Sequence, residues 1–181
     1  PFNGRPHHYT ETEIGTVVQI MRGPTPLTQG GYLRDFEKHF RQFACVEHAF
    51  AVSNATAGLE LAAQLCQFKS GDEVIIPAHT FTSSAYPFAK AGARIVWADI
   101  DKTTRVVTAD TIAPCISPQT RVVVVPHLYG YGADMPAIMT LAKTFGLLVV
   151  EDAAQALGVM IADRMAGSVG NFGVYSFHSH K

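Results

Sequence analysis

The sequence predicts a three-layer α/β domain: a mostly parallel sheet with helices on both faces. Three observations predict it. Short, continuous Val/Ile-rich runs suit strands buried on both sides. Longer segments of helical period lie between them, and short turns join the two kinds in regular alternation. A chain of 181 residues is long enough to bury its own core without disulfide staples.

Each element has a local reason. Thr10 to Met21 and Tyr32 to Phe43 read as helices, joined by a loop that starts Arg22-Gly23-Pro24-Thr25-Pro26. Thr56 to Phe68 is the next helix, with Leu59, Ala62, Ala63 and Cys66 on one face. Glu73-Val74-Ile75-Ile76 is the first strand, stopped by Pro77, and Thr82 to Ala91 returns to helical period. Arg94-Ile95-Val96-Trp97 is entered after Gly92 and left at Asp99, and Arg121 to Val125 is stopped by Pro126. Met135 to Phe145 is a helix capped by Asp134. Leu147 to Val150 lies between Gly146 and Glu151-Asp152, and Phe172 to Phe177 is the fifth strand. No repeat, low-complexity tract or linker interrupts the pattern, so residues 1–181 are expected to form one domain.

Composition narrows the function. Fourteen Lys+Arg against fifteen Asp+Glu and 48% apolar residues argue against disorder and against electrostatic nucleic-acid binding. Cys45, Cys66 and Cys115 are odd in number, far apart and without a CxxC pair. That argues against a disulfide framework or zinc knuckle and for a reducing, cytoplasmic compartment. No window of about 18 uncharged apolar residues is present, and Pro1-Phe2-Asn3-Gly4-Arg5 lacks the apolar core of a signal peptide.

Ligands of an open parallel sheet bind beyond the carboxyl ends of its strands. Pro77-Ala78-His79-Thr80-Phe81, His127-Leu128-Tyr129 and Glu151-Asp152-Ala153-Ala154-Gln155 occupy such ends. Gly130-Tyr131-Gly132-Ala133-Asp134-Met135 lacks the third glycine of a dinucleotide fingerprint, and no Walker-type phosphate loop occurs. His178 and His180 are two apart but have no third ligand at a recognisable spacing, so no metal is expected. Asn54-Ala55-Thr56-Ala57-Gly58 is small and polar and leads straight into a helix, whose first N–H groups can receive a phosphate. A carboxylate from the Glu151-Asp152 strand end, a phosphate seat, an aromatic plate and the Lys181 amine together suit pyridoxal 5′-phosphate.

Read singly, each residue has a plainer account. Asp152 is equally a turn cap after a strand, and Thr56 a helix cap. Alone, Phe81 is more often a core residue than a plate, and a lysine placed like Lys181 is ordinarily a solvated charge. Gln155 and Ser176 are uninformative alone. His79, His127, His178 and His180 stay unassigned, and Tyr129 and Tyr131 are expected to be loop aromatics lining the cleft.

Together these blocks resemble the DegT/DnrJ/EryC1 family of sugar aminotransferases, among fold-type-I pyridoxal phosphate enzymes. The matching stretches are Leu27-Thr28-Gln29-Gly30, Ala51 to Leu59, Gly71 to Phe81, Val150 to Ala156, and Gly167-Ser168-Val169-Gly170 running to Ser176-Phe177-His178-Ser179-His180-Lys181. The resemblance implies an aspartate-aminotransferase-like large domain, with the family's smaller C-terminal domain absent from the residues given. It implies that Lys181 forms the Schiff base and that Asp152 pairs with the pyridine nitrogen. Gln155 would lie near the phenolic oxygen, and Thr56, Ala57 and Ser176 would hold the phosphate. Phe81 would stack on the ring. It further implies a homodimer that moves an amino group from glutamate to a nucleotide-linked keto sugar, in aminosugar and polysaccharide biosynthesis. Two rivals remain: a dehydratase of the same family, in which histidine replaces the lysine, and a non-catalytic regulatory or binding module.

Overall fold

The computed structural model describes residues 8–24 and 26–178, and the chain divides into two compact units: residues 52–177, and residues 1–51 with 178–181. In the smaller unit, α1 (Glu11–Arg22) starts at a reciprocal cap. The Thr10 hydroxyl accepts the Glu13 N–H at 3.2 Å, and the Glu13 carboxylate accepts the Thr10 N–H at 2.7 Å. In α2 (Gly31–Ala44), Phe36 and Phe40 stack at 6.1 Å, as residues four apart on one helix face can. The Glu37 carboxylate accepts the Ala51 N–H at 2.9 Å and so ties the outgoing chain back to α2.

In the larger unit, α3 (Ala55–Leu65) leads to β1 (Glu73–Pro77), a 3₁₀ turn at Thr82–Ser84, α4 (Tyr86–Lys90) and β2 (Arg94–Ala98). Next come α5 (Ala109–Ile112), β3 (Thr120–Pro126), α6 (Met135–Phe145) and β4 (Leu148–Asp152). The short β5 (Met160–Ile161) and β6 (Arg164–Met165) form an antiparallel pair, and β7 (Phe172–Val174) follows. The main sheet has the order β2-β1-β3-β4-β7, with every pairing parallel.

Successive strand residues face opposite sides, and the two sides are two cores. Ile75, Val123, Val125 and Val149 pack with Ile112, Ile138 and Ala142 from α5 and α6. Val74, Ile76, Val122, Val124 and Val150 pack with Leu59, Ala62 and Phe88 from α3 and α4. This is the three-layer α/β arrangement expected. All five strands of the main sheet being parallel, their carboxyl ends share one edge, and the chain leaves that edge at Ala78, Asp99, His127, Ala153 and Tyr175.

Four local expectations differ from the structure. The helix read over Thr82 to Ala91 is a 3₁₀ turn followed by a five-residue helix. Pro87 is the reason: its ring excludes a preceding α-helical turn. The helix from Thr56 stops at Leu65, short of Phe68, and Gln67 is left-handed with φ 52°. The last strand stops at Val174 and not at Phe177, because its neighbour β4 ends at Asp152, the partner of Val174. Helix α5 and the β5–β6 pair have no counterpart in the sequence reading; both are too short to carry a period. Among the described residues no helix is long and apolar enough to cross a membrane.

Candidate active site

Asp152 ends β4 at the carboxyl edge and is buried. It continues the face of Val150, toward α3 and α4. One carboxylate oxygen, Oδ2, accepts the Ser84 hydroxyl at 2.6 Å, and Oδ1 accepts the Ala154 N–H at 3.1 Å. Each oxygen of a carboxylate has two acceptor positions, so one on each remains for a ligand N–H. Behind Ser84, the Thr80 hydroxyl donates to the Ser84 Oγ at 2.8 Å.

The expected phosphate seat lies at the start of α3. Asn54 caps the helix, and its Oδ1 accepts the Ala57 N–H at 2.9 Å. The Thr56 hydroxyl donates to the Ser83 Oγ at 2.9 Å. Ser83 and Ser84 are consecutive in the turn after β1. One reaches the start of α3, the other the acid at the end of β4. A single 3₁₀ turn therefore brackets the two ends of the candidate cofactor site.

Gln155 lies three residues past Asp152. Its Oε1 accepts the Tyr129 N–H at 2.7 Å, which leaves the amide NH₂ as the group turned to other partners. Tyr129 holds φ 56°, a left-handed conformation uncommon for a large side chain, and its ring is 71% exposed. Phe81 is 58% exposed and caps the turn; its carbonyl accepts the Ser84 N–H at 2.9 Å. Ser176 lies two residues past β7 and is half-buried. Lys181 lies outside the described residues.

A second polar cluster sits beside this one. His127 and Glu151 are both fully buried, with Nε2 and Oε2 2.8 Å apart. The Ala133 N–H donates to His127 Nδ1 at 3.1 Å, which fixes the proton on Nε2 and makes His127 a neutral donor to the carboxylate. Glu151 also accepts the N–H groups of Gly167 at 2.8 Å, Val169 at 2.7 Å and Gly170 at 2.6 Å. Burial pushes its carboxyl up, but the hydrogen bonds from His127, Gly170 and Gly167 outweigh that and leave it below its ordinary value. Burial, then the Glu151 charge, push the neighbouring Tyr175 phenol upward.

The sequence reading missed Ser83, Ser84 and the Tyr129 N–H, and left His127 unassigned. Hydroxyls carry neither charge nor periodicity, and a backbone donor leaves no trace in a side-chain pattern. The four-residue spacing of Thr80 and Ser84 directly after a strand end was the available signal for the first pair.

The family model for "DegT/DnrJ/EryC1/StrS aminotransferase family" matches residues 7–181. The chain is 39% identical over 155 residues to the spore coat polysaccharide biosynthesis protein SpsC of Bacillus subtilis (strain 168), covering 86% of this chain and 40% of that protein. It is 38% identical over 169 residues to the UDP-N-acetyl-3-dehydro-α-D-glucosamine 3-aminotransferase of Acidithiobacillus ferrooxidans, covering 93% and 46%. Among solved structures, an aminotransferase from Psychrobacter cryohalolentis superposes with a TM-score of 0.93 at 35% identity, over 100% of this chain and 46% of that one. The sugar aminotransferase Spr1654 of Streptococcus pneumoniae, described as putative and in its PMP-form, superposes at 0.91 and 28% identity, over 100% and 49%. The chain thus spans less than half the length of the relatives it matches.

Proposed function

The chain belongs to the DegT/DnrJ/EryC1/StrS aminotransferase family, and on that premise we propose that it is the cofactor-binding large domain of a pyridoxal-phosphate-dependent sugar aminotransferase. The substrate class is a nucleotide-linked keto sugar and the amino donor is glutamate. The working protein is a cytoplasmic homodimer. The reading is supported by the nucleotide-sugar name of one relative and by the PMP-form of one structural neighbour.

The observation that carries it is Asp152: a buried carboxylate, hydrogen-bonded once on each oxygen, at the edge where the sheet opens. The residues present fit the cofactor. Of the expected pair, Thr56 and Ala57, the Ala57 N–H is taken by Asn54 Oδ1 at 2.9 Å, so the start of α3 offers a phosphate the Thr56 N–H and, before it, that of Ala55, neither with an intrahelical partner. Ser176 adds a hydroxyl, and the Gln155 NH₂ is the donor for the phenolic oxygen. Phe81 offers its face to the ring. Asp152 holds a proton on the ring nitrogen by favouring the charged pyridinium. Bound there, the cofactor supplies an electron sink for the carbanion at the carbon that loses its proton. The Lys181 amine would hold the cofactor and would be the group that moves a proton at the reacting carbon.

The test uses the full-length protein with added pyridoxal phosphate, glutamate and a panel of nucleotide-linked keto sugars. An amino sugar formed with matching loss of glutamate is expected, together with its abolition in Lys181→Ala. Loss of a sugar hydroxyl without gain of nitrogen would move the assignment to dehydration. Turnover that survives Lys181→Ala would remove the lysine from the reaction.

A further inference from the structure

We propose that Ser84 is a positioning residue for Asp152, with Thr80 fixing Ser84 from behind. The inference rests on the reading of Asp152 as the acid at the cofactor's ring nitrogen.

Ser84 is 1% exposed, so its hydroxyl has little water to turn to. A serine hydroxyl carries one proton. Thr80 donates to its oxygen at 2.8 Å, and Ser84 gives its own proton to Asp152 Oδ2 at 2.6 Å. The chain of donors therefore runs one way, from Thr80 through Ser84 to the acid. The distance of 2.6 Å lies in the range of hydrogen bonds to ionised oxygens.

The turn that carries Ser84 is itself anchored. The Ser84 N–H bonds the Phe81 carbonyl at 2.9 Å, and the Ala85 N–H bonds the Thr82 carbonyl at 3.1 Å. The next side chain back, Ser83, is held by Thr56 at 2.9 Å. Ser84 is thus a fixed donor on a fixed turn.

The consequence is rotational. A carboxylate bonded through Oδ1 alone can swing its other oxygen about the Cβ–Cγ bond. With Ser84 on Oδ2, its plane is set by two donors from different segments, Ser84 and Ala154. The open acceptor position on each oxygen then has one direction. A ring N–H arriving along it needs no reorganisation of the acid, which is where preorganised electrostatic sites gain their strength. Because Ser83 and Ser84 are adjacent, the same turn fixes the acid relative to the phosphate seat.

The test uses the full-length protein and the variants Ser84→Ala, Ser84→Thr, Ser84→Cys and Thr80→Val. Two quantities are measured: the dissociation constant of pyridoxal phosphate by fluorescence titration, and the visible circular dichroism of the bound cofactor, which reports how its ring is held. Thermal unfolding without cofactor is followed in parallel. Loss of a hydrogen bond to a charged group predicts about 10-fold weaker binding in Ser84→Ala, with an altered dichroic band. Ser84→Thr, which keeps the hydroxyl, restores both to within about 2-fold, and Thr80→Val weakens binding about 3-fold. Should Ser84→Ala fail to fold, Ser84→Cys keeps the shape, offers only a weak donor, and is expected to show the same loss.

Wild-type affinity and an unchanged band in Ser84→Ala would overturn the inference, as would a loss confined to cofactor-free stability. Both results leave the Asp152 reading standing. A wild-type protein that binds no cofactor overturns that reading and the inference together.

Discussion

Glu151 and Asp152 are consecutive carboxylates at the end of one strand, and they are built for opposite tasks. Strand geometry separates them: Glu151 follows the face of Val149, toward α5 and α6, and Asp152 follows the face of Val150, toward α3 and α4. Glu151 accepts four hydrogen bonds, which fill both oxygens. Asp152 accepts two and keeps one position open on each oxygen. A saturated carboxylate has no capacity left for a ligand, so its work is structural. It ties the segment after β3 to the turn before β7. A half-saturated one is oriented and still able to bind. The number of filled acceptor positions separates the two roles where sequence, charge and burial do not.

Breaking the saturated member has the largest expected effect. Glu151→Gln puts an NH₂ among donors and leaves buried N–H groups unmatched. Each buried donor left unmatched costs about 1–3 kcal/mol, read as a fall in the denaturant midpoint at unchanged slope. The same variant changes the acid limb. The folded-state carboxyl titrates below its ordinary value of 4.5. Its stabilising contribution is therefore complete above that value and is lost as pH falls through the folded one. Wild-type stability is expected to drop steeply below that range, and the Glu151→Gln curve to be flatter there. An equally steep curve in the variant would show that other groups carry the acid limb.

Asp152→Asn is the matching experiment on the open member. It keeps the shape and the side-chain oxygen but removes the charge proposed to hold a proton on the ring nitrogen. Loss of a preorganised electrostatic partner predicts turnover lower by on the order of 10²–10³-fold. Folding stability should change far less than in Glu151→Gln. A result the other way round, with Asp152→Asn mainly unfolding the protein, would erase the distinction between the two carboxylates.

The difference between these neighbours was only partly legible in the sequence. Three of the four long strands were readable because both their faces are buried, and Val122 to Val125 can be nothing else in an α/β pattern; β2 lies at the sheet edge with Arg94 and Trp97 exposed, and was read from its β-branched run alone. The strand-end position of Asp152 followed from that. The role of Glu151 did not. It depends on three N–H groups from residues 167–170 and on His127, which lies 24 positions away and comes close only in the fold. Ser84 was hidden for the same reason, being 68 positions from Asp152. Pro87 was visible, yet a periodic reading ran straight through it. Lys181 was singled out through family motifs and lies outside the described residues.

Gly167 sharpens the comparison from the structural side. It donates to Glu151 while holding φ +89°, and an added Cβ would sit 2.6 Å from the Tyr175 ring and 2.8 Å from the Ala153 Cβ. Gly167→Ala therefore combines backbone strain with overpacking, for a loss of about 1–3 kcal/mol in thermal or chemical unfolding. A neutral result would mean that the 167–170 turn adjusts freely, and that Glu151 is less rigidly held than its four bonds imply.

The smallest effect is expected at Tyr129, and it separates backbone from side chain. The group that meets Gln155 is the Tyr129 N–H, at 2.7 Å, and not the exposed ring. Glycine adopts φ 56° without the penalty a side chain meets there, whereas a β-branched residue meets it in full. Tyr129→Gly should keep the N–H in place and alter folding stability by less than about 1 kcal/mol, because relief of strain offsets the added chain entropy. Tyr129→Val should lose on the order of 1 kcal/mol, the β-branched increment over the strain tyrosine already bears, and release Gln155 with it. Cofactor affinity then discriminates. If the backbone donor orients Gln155, the glycine variant binds pyridoxal phosphate as wild type does and the valine variant binds it more weakly. Equal weakening in both would transfer the role to the tyrosine ring, and the orientation of Gln155 would need another source.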